Sequence, residues 1–215
     1  PPDDVGTLVE QGTDALVDPD PMDAGILSDA EAEMDAEFVD MSVPPVAMIT
    51  EEMTAILDDI PGYAQGTIGG KEGSLYVVTT LANDGPGSLR AATESTDPLW
   101  IVFEDGLNGT IRLESQLQVE SYKTIDARGH DITLQAVRDD SQSDFSDGWN
   151  NTGVAVGRAG EQVQDVHDVV FINLTFDGAW PHPDEDNEGA DGIHIHNHVH
   201  HVWVHQCTFH NWTDG

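Results

Sequence analysis

Two ten-residue segments near the end of the sequence match each other at an offset of 33 residues. The segment VVFINLTFDG (169–178) returns as VWVHQCTFHN (202–211), so that Val169 aligns with Val202 and Phe176 with Phe209. Both segments combine β-branched and aromatic residues, which favour strands. Short strands that repeat at this spacing indicate a solenoid, in which successive coils stack their apolar residues into one continuous core.

Further short strands precede this repeat. Short β-branched-rich runs lie at 76–80, 100–103, 110–113, 117–119, 124–126, 132–134 and 154–156. No crossover helices separate them, which excludes a doubly wound α/β sheet. The alternative, a β-sandwich, predicts hairpins with two-residue loops, and these are scarce. The sequence therefore predicts an all-β fold, a right-handed single-stranded parallel β-helix.

Residues 1–60 differ from the rest of the chain. They contain acidic and Pro-Asp segments and neither Lys nor Arg. A helical pattern runs over 50–60, with Thr50 as its N-cap and one apolar face. We interpret 1–60 as an acidic leader or linker with loosely docked helices, and 61–215 as the N-terminal coils of the β-helix.

The charge balance excludes several partners. The chain carries 41 acidic and 7 basic residues, for a net charge of −34. Without a positive patch we expect no nucleic acid and no anionic membrane as a partner, and no apolar run is long enough to span a bilayer. Because 38% of the residues are hydrophobic, disorder is not the expected reason for this acidity. A folded protein that works in high salt, which screens self-repulsion, explains it better.

Two Asp-Gly pairs, Asp191-Gly192 and Asp214-Gly215, bracket a histidine-rich stretch of two short strands. Carboxylates that stacked strands bring together suit a hard cation. The histidines at 194, 196, 198, 200 and 201 raise the alternative of a transition metal. With Ile193 and Ile195 in the core, however, His194 and His196 would point outward, and we interpret them as a solvated stripe.

Several blocks in a fixed order carry a family resemblance. They are Ile68-Gly69-Gly70, GSLRAA (87–92), PLWIVF (98–103), KTIDARG (123–129), and Asp191-Gly192-Ile193 with Trp203-Val204. Together they resemble the pectate lyases of polysaccharide lyase family 1, over residues 62–215. The resemblance implies a right-handed parallel β-helix, secretion, and calcium-dependent cleavage of polygalacturonate, an acidic polysaccharide, by β-elimination. We expect a monomer.

Matched to that family, Asp191 and Asp214 are the expected calcium ligands. The resemblance puts a third carboxylate four residues after Asp214 and the catalytic arginine on a later coil, both past Gly215. On this expectation the chain is an incomplete catalytic domain, inactive by itself. Two positions depart from the family: Gly189 stands where many members have Asp, and His205 replaces the usual Asp.

Two other functions remain open from the sequence. A β-helical glycoside hydrolase would use paired Asp residues as acid and base. A β-helical protein that binds polysaccharide without cleaving it is suggested by Gly189 and His205. Activity that survives chelation would indicate the hydrolase, and binding of polygalacturonate without turnover would indicate the binding protein.

The acidity yields a prediction about salt. Because screening shortens the reach of like-charge repulsion to about 3 Å at 1 M salt, we expect the protein to lose its strand signal as salt is removed. Circular dichroism across a salt series measures this. A full strand signal without added salt would contradict the interpretation.

Overall fold

The computed structural model describes residues 48–136, 153–157, 165–178, 191–196 and 198–212. The chain divides into two compact units, Pro1–Val43 and Pro44–Gly215. All the described residues belong to the second unit. Most of the expected acidic leader, residues 1–47, therefore lies outside the described residues.

Short strands dominate the described part. They are β1 (Ser74–Val78), β2 (Leu99–Phe103), β3 (Gly109–Leu113), β4 (Leu117–Val119), β5 (Lys123–Asp126), β6 (Ile132–Ala136), β7 (Val154–Val156), β8 (His167–Ile172), β9 (Thr175–Asp177), β10 (Ile193–Ile195), β11 (His200–His205) and β12 (Thr208–His210). Two short helices, α1 (Glu51–Thr54) and α2 (Leu89–Thr93), and two 3₁₀ turns, Ala55–Leu57 and Gly62–Ala64, accompany them. Among the described residues, no helix has the length and apolar character that a membrane span requires.

The strands form three parallel sheets. Sheet A has the order β1-β2-β5-β8-β11, sheet B the order β12-β9-β6-β3, and sheet C the order β10-β7-β4. Consecutive strands such as β5, β6 and β7 lie in three different sheets, so the chain makes one coil before it returns to the same sheet. This topology confirms the predicted parallel β-helix. The sequence repeat is one coil, since Val202 pairs with Val169 and Phe209 with Phe176.

The core consists of side chains stacked in columns between the three sheets. Ile101, Ile125 and Phe171 are in register on sheet A, and all three are fully buried. Burying such a side chain contributes about 1.5–3 kcal/mol. Helix α2 begins at the cap Ser88, whose hydroxyl accepts the Ala91 N–H at 3.2 Å. Its buried residue Leu89 joins the same core.

The segment before the first strand packs on the outer face of sheet A. Thr50 caps α1 as predicted, accepting the Met53 N–H at 3.2 Å, but the helix ends at Thr54 and continues only as a 3₁₀ turn. Leu57 and Ile60 pack in a second apolar cluster with Trp100, Val170 and Ile172. The compact unit thus begins at Pro44, whereas the composition of the sequence changes near residue 60.

An ion pair between the buried Asp126 and the exposed Arg128 ties this segment to the sheet. Arg128 donates to both carboxylate oxygens of Asp126, at 2.8 and 2.6 Å, and to the Met53 carbonyl at 2.9 Å. Trp100 Nε1 donates to the same carboxylate at 3.2 Å. Asp126 is only 5% exposed, and these donors compensate the cost of burying its charge.

Lys123 lies in a column of apolar side chains that point into the core, where it pairs in register with Leu99 on one side and Val169 on the other. It is fully buried, and its Nζ donates to the Asp97 and Ser121 carbonyls at 2.8 and 2.9 Å. Burial lowers the pKa of Lys123 to about 8, against the opposing attraction of Glu120 and Asp97. Lys123 therefore satisfies two corner carbonyls at the cost of a buried amine.

This lysine predicts a pH dependence of stability. Its folded-state pKa of about 8 lies below the ordinary value of 10.5, so between those pH values the unfolded chain binds more protons and the free energy of unfolding rises with pH. We expect a gain of about 2 kcal/mol between pH 7.5 and pH 10. Urea unfolding at the two pH values, in constant salt, measures it.

Lys123→Met should abolish this gain while lowering stability throughout, because two carbonyls lose their donor. Lys71→Met is the matched control, since Lys71 is half-exposed and 3.8 Å from the Asp58 carboxylate. A gain that persists in Lys123→Met, or vanishes in Lys71→Met, would refute this role.

Candidate functional site

Asp191 lies immediately before β10, at the start of the last described strand of sheet C. Its backbone carbonyl accepts the Gly153 N–H at 2.9 Å, and the Gly192 carbonyl accepts the Val154 N–H at 3.1 Å. From there β10 pairs with β7, with Ile193 beside Val154. The parallel ladder thus fixes Asp191 at one end of the sheet, with its side chain 27% exposed.

Gly192, which follows the candidate residue Asp191, has the rings of Phe209 and Trp212 packed against its Cα. A Cβ on Gly192 would lie 2.6 Å from Phe209 Cδ1 and 3.2 Å from Trp212 Nε1. The Trp212 indole also reaches Gly153, and its N–H donates to the Phe176 carbonyl at 3.1 Å. Only glycine allows this close approach, so packing requires the glycine of the Asp-Gly pair.

A histidine holds the Asp191 side chain. His194 Nδ1 lies 2.9 Å from Asp191 Oδ2. The His194 ring lies 4.3 Å from the His196 ring, at 37°. In register, His194 sits beside Ala155, whose small side chain belongs to the buried strand β7. Sequence analysis missed this pair, although its signal is visible as a histidine three residues after the aspartate.

The expectation for β10 is corrected in two places. Ile193 packs on the core as predicted, but Ile195 is 50% exposed, because in the described chain no strand lies beyond β10 in sheet C. His196, expected to point outward, is 7% exposed. Burial lowers the pKa of His196, and the nearby His194 lowers it further. His194 and His196 are therefore not a solvated stripe.

The other histidines on described strands lie on sheets A and B. His167 stacks on His200 with ring centroids 5.0 Å apart, His205 stacks on Trp203, and His210 Nδ1 lies 3.2 Å from an Asp177 oxygen. In the part of the chain that the structure describes, no group of three or more His, Cys, Asp or Glu side chains is arranged to hold a metal. A multi-histidine zinc site thus finds no support in this part.

Asp191 is the candidate ligand that the structure describes, and Asp214 lies outside the described residues. The carboxylate of Asp191 is a suitable type of ligand for calcium, since calcium prefers oxygen donors. One carboxylate does not fill six to eight positions, so further oxygen donors have to complete the shell. Asp214 stays a predicted ligand.

Comparison of the sequence with curated proteins finds plant pectate lyases. A probable pectate lyase 13 of Arabidopsis thaliana is 32% identical over 162 residues, 72% of this chain and 28% of that protein. A pectate lyase of Nicotiana tabacum is 30% identical over 182 residues, 77% and 40% of the two chains. Probable pectate lyase P59 of Solanum lycopersicum is 32% identical over 172 residues, 74% and 34%. No family model matches the chain.

These relatives and the fold define a class. The chain is a parallel β-helix protein, and it belongs to the pectate lyase family. It spans about a third of the length of the curated relatives it matches, between 28% and 40%. Among solved structures, jun a 1, the major allergen from cedar pollen, is similar with a TM-score of 0.42 and 28% identity over 57% of this chain and 30% of that one.

The crowding at Gly192 gives a prediction. Gly192→Ala places a methyl group against Phe209 and Trp212, and we expect a loss of about 1–3 kcal/mol in the free energy of unfolding from overpacking. Phe209→Ala, which removes the closest ring, should recover most of this loss in the double variant. Denaturant unfolding of the four proteins in this cycle measures the coupling. Additive losses would show that Phe209 does not confine the Asp191-Gly192 turn.

Proposed function

We propose that this chain forms part of a calcium-dependent pectate lyase, which cleaves polygalacturonate by β-elimination outside the cell. The observation that carries the proposal is the placement of Asp191. Asp191 stands at the start of a sheet C strand, where its carbonyl accepts the Gly153 N–H and Trp212 packs against the neighbouring Gly192. The chain is related to pectate lyases over 72–77% of its length. Position and kinship together favour Asp191 as a metal ligand over Asp191 as an ordinary turn residue.

The pairing of Asp191 with Asp214 is proposed from their places in the sequence. Trp212, two residues before Asp214 in the sequence, packs with its indole against Gly192, the residue after Asp191. We propose Asp191 and Asp214 as two calcium ligands.

The chemistry follows from the charges. Asp191 and Asp214 would hold the calcium, which when bound would supply a Lewis acid for the uronate carboxylate and so favour loss of the C5 proton of the sugar. Asp191 has the role of holding that charge at the edge of sheet C. A chain of net charge −34 repels a polyanion, so both the cation and high salt favour the approach of substrate.

The test uses the full gene product with polygalacturonate. We expect an unsaturated product, seen as ultraviolet absorbance, that depends on calcium and disappears with a chelator. Reducing ends that form without this absorbance and survive chelation would instead indicate a hydrolase. Binding of polygalacturonate without turnover would indicate a binding protein. Either result contradicts the proposal.

Substitution separates the ligand from other carboxylates. Asp191→Asn should weaken calcium binding at least tenfold by calorimetry, because it removes a charged ligand. Asp177→Asn is the control, since Asp177 lies on sheet B, where it accepts from Gln135 and Asn211 at 2.8 Å. Equal calcium affinities of the two variants would remove Asp191 from the site.

A further inference from the structure

We propose that His194 is a positioning residue for Asp191: it donates its Nδ1–H to one carboxylate oxygen and thereby leaves the other oxygen directed at the cation. This inference rests on the proposed function. The plain observation behind it is the distance of 2.9 Å between His194 Nδ1 and Asp191 Oδ2.

The direction of this hydrogen bond follows from its two partners. An ionised carboxylate only accepts hydrogen bonds, so the imidazole has to supply the proton at Nδ1. Of the two Asp191 oxygens, Oδ2 is the one that receives this donor. A carboxylate that is hydrogen-bonded at one oxygen cannot rotate freely. Metal binding then loses less entropy, because the ligand is already oriented before the metal binds.

The ring of His194 is itself held in place. Strand β10 pairs with β7, which fixes its backbone beside Ala155. The His196 ring lies 4.3 Å away, and His196 is buried with its backbone N–H donating to the Val156 carbonyl at 3.1 Å. Gly157 keeps this arrangement possible, since a Cβ there would lie 2.7 Å from Val199 Cγ2 and 3.4 Å from His196 Cβ.

The other described His–Asp contacts lie elsewhere on the fold. His167 Nδ1 is 2.7 Å from Asp168 Oδ2, His210 Nδ1 is 3.2 Å from Asp177 Oδ1 on sheet B, and His200 Nε2 is 3.2 Å from Asp165 Oδ1. The His210 pair is a His–Asp contact at a similar distance, away from the start of β10. It serves as an internal control for any general effect of removing a histidine from an acidic protein.

The experiment measures calcium affinity by calorimetry, at fixed pH and salt, for the wild type, His194→Ala, His194→Asn and His210→Ala. We expect His194→Ala to weaken calcium binding about tenfold or more, as for other residues that orient a metal ligand. His194→Asn should restore most of the affinity, because the Asn amide donates from nearly the same place as Nδ1. His210→Ala should leave the affinity unchanged.

Nuclear magnetic resonance of the metal-free protein provides a second readout. The ¹⁵N shifts of His194 should identify Nδ1 as a protonated nitrogen. A proton on Nε2 alone would overturn the proposal, because a bare Nδ1 has nothing to donate to Asp191.

The outcomes separate this inference from the proposed function. If Asp191→Asn abolishes calcium binding but His194→Ala binds as the wild type does, the calcium site stands and the role of His194 is refuted. If calcium binds the wild type no better than Asp191→Asn, both proposals fail. If His194→Asn is as weak as His194→Ala, the histidine acts by packing and not by its donor, which also overturns the inference.

Discussion

The in-register parallel ladder between successive coils is the constraint on which the rest of the structure depends. Each strand hydrogen-bonds to the equivalent strand of the next coil, so a residue's place in the repeat sets both its face and its neighbours. This places Ile125 beneath Phe171 in the core, and it also places Asp191 at the entry to β10. The position of the candidate ligand Asp191 at this edge of sheet C is thus a consequence of stacking.

The fold could be predicted from the sequence because its signal is local and repeated. The match of Val169 with Val202 and Phe176 with Phe209 in the sequence is the pairing in the structure. What the sequence could not show is how tertiary contacts override local pattern. The helical face from Met53 to Ile60 becomes one short turn of helix because apolar contacts with Trp100 and Val170 stabilise the segment, and Lys123 occupies an apolar column because two carbonyls accept its amine.

The candidate site was predictable only in part for the same reason. Asp191 was visible as an Asp-Gly pair at a strand boundary, and kinship with the pectate lyases gives that pair its meaning. The alternation of β10 predicted the side of the strand that His194 occupies, but not its hydrogen bond to Asp191 or the burial of His196. The burial of His196 depends on its neighbours at the end of β10, where Gly157 leaves room for Val199 and His196, and the hydrogen bond depends on the place of Asp191 before β10. Periodicity carries no information about such contacts.

The central claim is that the stacked coils make Asp191 a ligand for a cation that meets a uronate. A crystal structure of the full gene product with calcium and a short oligogalacturonate tests it most directly. The account predicts calcium density within bonding distance of an Asp191 oxygen, about 2.3–2.6 Å, with His194 on the other oxygen and a uronate carboxylate in contact with the cation. Calcium or substrate bound elsewhere, with Asp191 bonded only to His194, would contradict it.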